Sequence, residues 1–300
     1  MTNKTYQAMI DRKLKHTWLL LIVVVQMAML DAYAEQPAIK AKTATRVISA
    51  GGSITEIMYA LGLGERLVAV DSSSYYPLQA TQLPKVGYFR SLAAEGVLSL
   101  KPDLLVAARG AGPDVVLQQV QALGVDVKTY EQSNYSLESW KTLVMDIGVD
   151  FDRSGAATEL VKTVTQKIAH HQGERDFNER SINAVALLSI GQRGPVAAGK
   201  NTVPDLLMQL AGINNVASSL EGYKPFSTEL LAEKKVDLVL IPSHVVEGLG
   251  GEDAICENQV LDMATDGECG LFVMDGLLLM GFGARLDQGV AQLVHFGNGV

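Results

Sequence analysis

The chain has 300 residues, with 33 Asp and Glu against 25 Lys and Arg and a formal net charge of −8. Recognition of nucleic acid needs clustered cations to neutralise phosphates, so this acidic balance argues against that class of partner. Such a length forms one large domain or two ordinary ones.

The first 34 residues read as a secretory signal peptide. Lys4, Arg12, Lys13 and Lys15 precede an almost wholly apolar run from Trp18 to Leu30. That run is short for a membrane-spanning helix, which needs about 20 residues. It leads into Ala32-Tyr33-Ala34, the small-x-small pattern after which signal peptidase cuts. A membrane anchor is the alternative; no cysteine stands after the run to carry a lipid. The expected mature protein starts at Glu35 in the periplasm, with 21 basic against 31 acidic side chains and a net charge near −10. Neither a second long apolar segment nor a low-complexity tract follows.

Along the first half, Arg46–Ser49 reads as a strand and Ser53-Ile54-Thr55-Glu56 as a capping box opening a helix. Gly51-Gly52 lies at the turn between them, but no G-x-G-x-x-G or Walker pattern follows to signal a nucleotide site. Ile57 to Gly62 is a helical set closed by glycine, ahead of the apolar run Leu67–Val70. Further strands are expected at Leu104–Ala107 and Val125–Thr129, with helices near Asp114–Leu123 and Leu137–Ile147. From Asp152 to Gly173 there is no proline and no internal glycine after Gly155, and Leu160, Val164 and Ile168 keep helical spacing. One long helix is therefore expected here instead of a flexible linker.

The second half repeats the grammar of the first. Leu207 to Gly212 echoes Ile57 to Gly62, and Asn215-Val216-Ala217 follows it. Glu95 precedes the run from Leu98 through Asp103 to Val106; Glu229 precedes Leu230 through Asp237 to Leu240. Glu95 to Glu229 and Asp103 to Asp237 are both 134 positions apart. A strand at Asp237–Ile241 and a last helix at Asp287–Val294 complete the pattern. Alternation of short apolar runs with amphipathic helices is the mark of a mostly parallel sheet covered by helices. The expected fold is α/β, with two Rossmann-like lobes joined by one long helix: 1–34 signal peptide, 35–150 N-terminal lobe, 151–175 connecting helix, 176–300 C-terminal lobe.

Chemistry-bearing residues are few. Cys256 and Cys269, an even and closely spaced pair in an exported chain, read first as a disulfide. Of the five histidines, His16 falls in the signal peptide, His170 and His171 on the long helix and His295 near the carboxyl end. Only His244, just past a strand, falls at a cleft position. A zinc or manganese carrier needs several convergent His and carboxylate ligands, which this distribution does not offer. No G-x-S-x-G elbow, dinucleotide fingerprint or H-E-x-x-H is present, so no catalytic residue is assigned.

The stretch Gly87-Tyr88-Phe89-Arg90-Ser91 continuing to Lys101-Pro102-Asp103 resembles the haemin-binding branch of the helical-backbone class of ABC substrate-binding proteins. Ala198–Thr202, Gly222-Tyr223-Lys224-Pro225 and Val273–Gly283 add to the likeness, which covers essentially the whole mature chain. The resemblance implies a carrier that captures haem between its lobes and delivers it to an inner-membrane ABC permease dimer, with an outer-membrane haem receptor system upstream. Cobalamin or a ferric siderophore is the alternative cargo of the same class. In that branch the tyrosine of Gly-Tyr-x-Arg binds the haem iron, which maps onto Tyr88; otherwise Tyr88 is a half-buried loop tyrosine. Arg90 is then placed to favour the phenolate or to pair with a propionate. Some haemin binders carry a histidine after the first strand of lobe two; Leu187 to Arg193 has none. His244 is the best substitute as second ligand, or else an exposed loop histidine. Arg285 either reaches a propionate or merely begins the last helix. Glu95 and Glu229 are implied to dock the two lobes onto the permease.

Overall fold

A computed structural model of the chain describes residues 40–176, 181–190, 194–227, 233–258, 261–262, 265 and 269–299. The signal-peptide reading of residues 1–34 and the docking role of Glu229 lie outside the described residues. Two α/β lobes and a long linking helix build the unit that runs from Ala41 onward.

In the first lobe β1 (Val47–Ala50), β2 (Leu67–Val70), β3 (Leu104–Ala108) and β4 (Asp126–Tyr130) form one parallel sheet in the order β2-β1-β3-β4. Helices α1 (Gly52–Ala60), α2 (Ala94–Ser99), α3 (Asp114–Ala122) and α4 (Leu137–Asp150) alternate with these strands. Every residue of β1 is buried, as expected of a parallel strand covered on both faces. Helix α5 (Ser154–Gly173) leads to the second lobe; at 20 residues it extends about 30 Å. It buries Ala157, Val164 and Ile168 and packs between α4 and the C-terminal helix. Leu160, expected in that stripe, is half-buried.

The second lobe has β5 (Asn183–Ser189), β6 (Val196–Ala198), β7 (Asn214–Asn215), β8 (Tyr223–Pro225), β9 (Leu238–Pro242) and β10 (Leu271–Met274). Its sheet order is β10-β9-β5-β6-β8, with β7 pairing β5. The β5, β7, β9 and β10 pairings are parallel, whereas β6 and β8 extend the sheet in antiparallel pairs. Helices α6 (Val203–Ala211), α7 (Ser243–Gly248), α8 (Gly276–Met280) and α9 (Leu286–Gly297) belong to this lobe.

The repeat seen in the sequence has a structural cause. Asp103 donates its N–H to Arg46 O at 2.8 Å, and its Oδ2 accepts the Arg46 N–H at 3.0 Å. Asp237 does the same with Asn183, both distances being 2.8 Å. Each aspartate thus stands at the head of one strand and grips the head of its parallel neighbour. The pairings Val47↔Leu104 and Ala184↔Leu238 follow directly. Lys101 and Lys235, two residues before each aspartate, share an unusual backbone with φ 47. The two lobes therefore share one strand-pairing device, in hydrogen bonding, register and backbone alike.

One local expectation is overturned. The capping box Ser53–Glu56 does not form: α1 starts at Gly52, its N-cap is Gly51, and no side chain caps it. Its first amides are served from the loop after β2, Gly51 N–H by Asp71 Oδ1 at 2.9 Å and Gly52 N–H by Ser73 Oγ at 3.1 Å. Ser53 and Glu56 are therefore free for partners in the other lobe. Gly51 has φ 126, and a Cβ there would lie 2.5 Å from that of Ala108, so a larger residue would force β1 and β3 apart.

Candidate functional site

In parallel α/β sheets the loops at the carboxyl ends of the strands line the binding crevice. Here those loops from both lobes meet, and several contacts tie them. The Tyr75 hydroxyl accepts the Leu277 N–H at 2.5 Å, and Ser53 Oγ accepts the Phe282 N–H at 2.9 Å. Trp140, fully buried on α4, donates its indole N–H to Gly283 O at 2.8 Å. Tyr135 donates its backbone N–H to Asn201 Oδ1 at 2.8 Å, and its ring meets Phe282 edge-on at 5.1 Å.

The strongest tie is ionic. Arg285 donates Nε and Nη2 to Glu56 Oε1 at 3.0 and 2.6 Å, and Nη2 also reaches Asp275 at 3.3 Å. The guanidinium stacks 3.7 Å above the Tyr76 ring. Burial pushes the Glu56 carboxyl up from its ordinary range, against the pull of Arg285. For Arg285 burial disfavours the charge, but Glu56 and Asp275 together hold its pKa up. Arg285 also occupies the N-cap position of α9. Of the two roles set out for it, beginning the last helix is the one this geometry displays, with its donors turned to Glu56 and Asp275. A hollow of about 760 Å³ beside this ion pair is lined by Tyr59, Tyr76, Leu160 and Arg285, and neither Tyr88 nor Arg90 borders it.

Tyr88 lies between β2 and α2, at the N-cap of a short 3-10 turn, Phe89–Ser91, and 45% of it is exposed. Its ring meets Phe89 edge-on at 4.8 Å. Arg90, in the same turn, sets its guanidinium 4.9 Å from the Phe89 centroid and against Gly110, where an added Cβ would come within 2.9 Å of Nη1. Its charge reaches the second lobe. On β8, burial of the phenol end and then Tyr135 push the Tyr223 pKa up, while Arg90 opposes them; the side chain as a whole stays 40% exposed. Tyr88 and Arg90 thus share one turn, and Tyr223 of the second lobe feels both Arg90 and Tyr135.

His244 falls elsewhere in the cleft. It is exposed in the first turn of α7, directly after β9. Its ring packs on Gly276, where an added Cβ would meet Nδ1 at 2.6 Å and the Tyr75 hydroxyl at 3.5 Å. Burial, then Asp275, push the Tyr75 phenol up to about 12. Glu95 is exposed in the first turn of α2. Cys256 and Cys269 are bonded, with Cα atoms 5.3 Å apart, at the end of a short helix and just before β10. Among the described residues no three His, Cys, Asp or Glu side chains are grouped to hold a bare metal ion.

Sequence reasoning missed Tyr75, Tyr76 and Tyr135. The adjacent tyrosines Tyr75-Tyr76 in a polar loop are a signal that was available, since large aromatic rings left in water mark a binding surface more often than a core. Tyr223 was visible only as part of the Gly222–Pro225 segment, with no role attached.

A model of the family described as Periplasmic binding protein matches residues 47–262. A vitamin B12-binding protein of Yersinia pestis (strain Pestoides F) is 31% identical over 206 residues, spanning 67% of this chain and 70% of that protein. The periplasmic heme-binding protein RhuT from Roseiflexus sp. RS-1 is similar in structure, with a TM-score of 0.79 and 30% identity over 85% of this chain and 98% of the other. The periplasmic heme-binding protein HutB of Vibrio cholerae gives a TM-score of 0.75 and 34% identity over 84% and 98%. The molecule is a substrate-binding protein of a transport system, not an enzyme. By its fold and by this match, the chain belongs to the periplasmic binding protein family.

Proposed function

We propose that this protein captures haem in the cleft between its lobes and delivers it to an ABC permease of the inner membrane. The observation that carries the reading is an exposed Tyr88 with Arg90 in one turn at the cleft. Ferric iron is a hard acid, and tyrosine is an established axial haem ligand. A free phenol has a pKa of about 10, so ligation needs an easily lost proton. Bound iron itself favours the anion. Arg90 serves as the bidentate partner of a propionate. The exposed faces of Tyr75 and Tyr223 offer apolar area for the porphyrin to cover. His244 stands on the opposite lobe as a second iron ligand.

The likeness to heme-binding structures spans nearly the full length of each of those chains, which also favours haem. Cobalamin is the second reading, favoured by the name of the Yersinia relative. Absorption titrations of the purified chain with haemin and with cyanocobalamin separate the two. Haem binding predicts a shifted Soret band on adding haemin, and Tyr88→Phe should change the visible spectrum because only the oxygen is lost. Saturable binding of cyanocobalamin with an unshifted haemin spectrum would reject the haem reading.

The rest of the assignment goes with it. Residues 35–150 and 176–300 act as the two lobes on either side of the 151–175 connection, after export and cleavage near Ala34. Glu95 and Glu229 dock the lobes on the permease, and an outer-membrane receptor system supplies the haem.

A further inference from the structure

Asp71, the residue directly after β2, is fully buried and belongs to no part of the cleft described above. Its Oδ1 accepts the Gly51 N–H at 2.9 Å and the Ser74 hydroxyl at 2.6 Å. Its Oδ2 accepts the Ser73 N–H at 2.9 Å, the Ser73 hydroxyl at 2.6 Å and the Phe89 N–H at 3.3 Å. An ionised carboxylate offers about four lone-pair sites, so these donors fill it. Ser73 and Ser74 belong to the loop of Asp71 itself. Gly51 and Phe89 do not: through them one carboxylate joins the head of α1 to the turn that carries Tyr88.

The backbone on the other side of Tyr88 is held from the same place. Ser72 donates its N–H to Gly87 O at 2.8 Å. Residues 71 and 72 therefore grip both peptide neighbours of Tyr88, the carbonyl before it and the amide after it. Further along, Ser91 N–H bonds to Tyr88 O at 2.8 Å and Gly112 N–H to Phe89 O at 2.9 Å. Gly87 takes φ 94, which lets the chain reverse just before the tyrosine. The result is a stitched backbone carrying a ring that is nearly half exposed. A metal-ligating side chain must be held within roughly 0.5 Å of its working position by groups that do not touch the ligand.

We propose that Asp71 is a positioning residue whose carboxylate fixes the Tyr88 turn, so that the phenol oxygen is presented to the cargo iron without reorganisation of the loop. This rests on the reading of Tyr88 as the iron ligand. Asp71→Asn replaces one acceptor oxygen by an NH2 group that faces donors. Phe89→Pro removes the ring together with the amide that reaches Asp71, at the first position of a helical turn and after a residue with ψ 136, where proline is accommodated. Phe89→Ala, which keeps that amide and loses the ring, is its reference.

The test is haemin titration of the exported chain, followed by absorption and resonance Raman spectra at saturating haemin, with circular dichroism as the check on folding. Asp71→Asn is expected to bind haemin at least about ten-fold more weakly than the parent, and Phe89→Pro by a similar factor relative to Phe89→Ala; charge-assisted hydrogen bonds of this kind support a change of that order. Both variants should lose part of the tyrosinate–iron signature even when saturated, an effect that a merely less stable fold would not produce. If Tyr88→Phe alters the spectrum while Phe89→Pro matches Phe89→Ala in affinity and spectrum, Asp71 does not position the ligand. If Tyr88→Phe leaves the spectrum of the complex unchanged, the reading of Tyr88 fails and the role of Asp71 fails with it. Should Asp71→Asn not fold, the comparison of Phe89→Pro with Phe89→Ala decides alone.

Discussion

Replacing Arg285 by Met tests how the two lobes are held together. Met keeps much of the apolar stem and removes the guanidinium that stacks on Tyr76. In the parent, the Glu56 side chain is 2% exposed and that of Arg285 12%, so neither can turn to water when its partner goes. Removing one member of a buried pair leaves the other uncompensated, which costs about 3–5 kcal/mol. The stacking on Tyr76 adds about 1 kcal/mol. For a chain of this size each kcal/mol lowers the melting point by about 2–4 °C, so a fall of about 10 °C or more is expected. The double change Glu56→Leu, Arg285→Met should recover most of the loss, because it removes the buried charges together. Asp275, half-exposed, turns to solvent in either case. Thermal and urea unfolding followed by circular dichroism measures all three proteins. If Arg285→Met stays within about 1 kcal/mol of the parent, or the double variant is no more stable than the single one, the ion pair does not hold the lobes together.

Tyr75, whose phenol is pushed up to about 12 by burial and then Asp275, contributes stability that is full below about pH 10 and is lost as pH rises from there through its folded value. The gap in melting temperature between parent and Tyr75→Phe should therefore close above pH 10, and a gap that widens there would contradict the assignment. Cys256 and Cys269 should give a two-proton mass gain on reduction, and the reduced chain should be less stable by about 3 kcal/mol; thiols that label without reductant would refute the bridge. Amino-terminal sequencing of the periplasmic form should begin at Glu35, whereas an intact Trp18–Leu30 run in a membrane fraction would overturn export with cleavage. The double variant Glu95→Ala, Glu229→Ala should keep the parent haemin spectrum and impair uptake through a reconstituted importer; unimpaired uptake would remove the docking role.

Much of this protein is local, and what is local can be read from the chain. The apolar runs that became β1 and β9 are fully buried parallel strands, and β3 is buried over all but its last residue; such strands need only continuous apolar residues, whatever their neighbours. The linking helix follows from an uninterrupted helical stripe, although Ala157 proved to carry the burial expected of Leu160. Asp103 and Asp237 stand out at equal spacing because each performs the same backbone hydrogen bonding in its own lobe. Tyr88 and Arg90, two positions apart in the chain, stay neighbours for the same reason, since both belong to one short turn. The seam between the lobes is different. Ser53 and Glu56 have the residue types and spacing of a capping box, yet their partners are Phe282 and Arg285, 229 positions away in each case. Tyr75 meets Leu277 across 202 positions, and within the first lobe Asp71 reaches back to Gly51 and forward to Phe89. Side-chain periodicity records which face of an element is buried but not which distant residue will be there. Only the closing of one lobe on the other decided that a helix-start glutamate would hold an arginine, and only the folding of the first lobe brought a buried aspartate to the amides of Gly51 and Phe89.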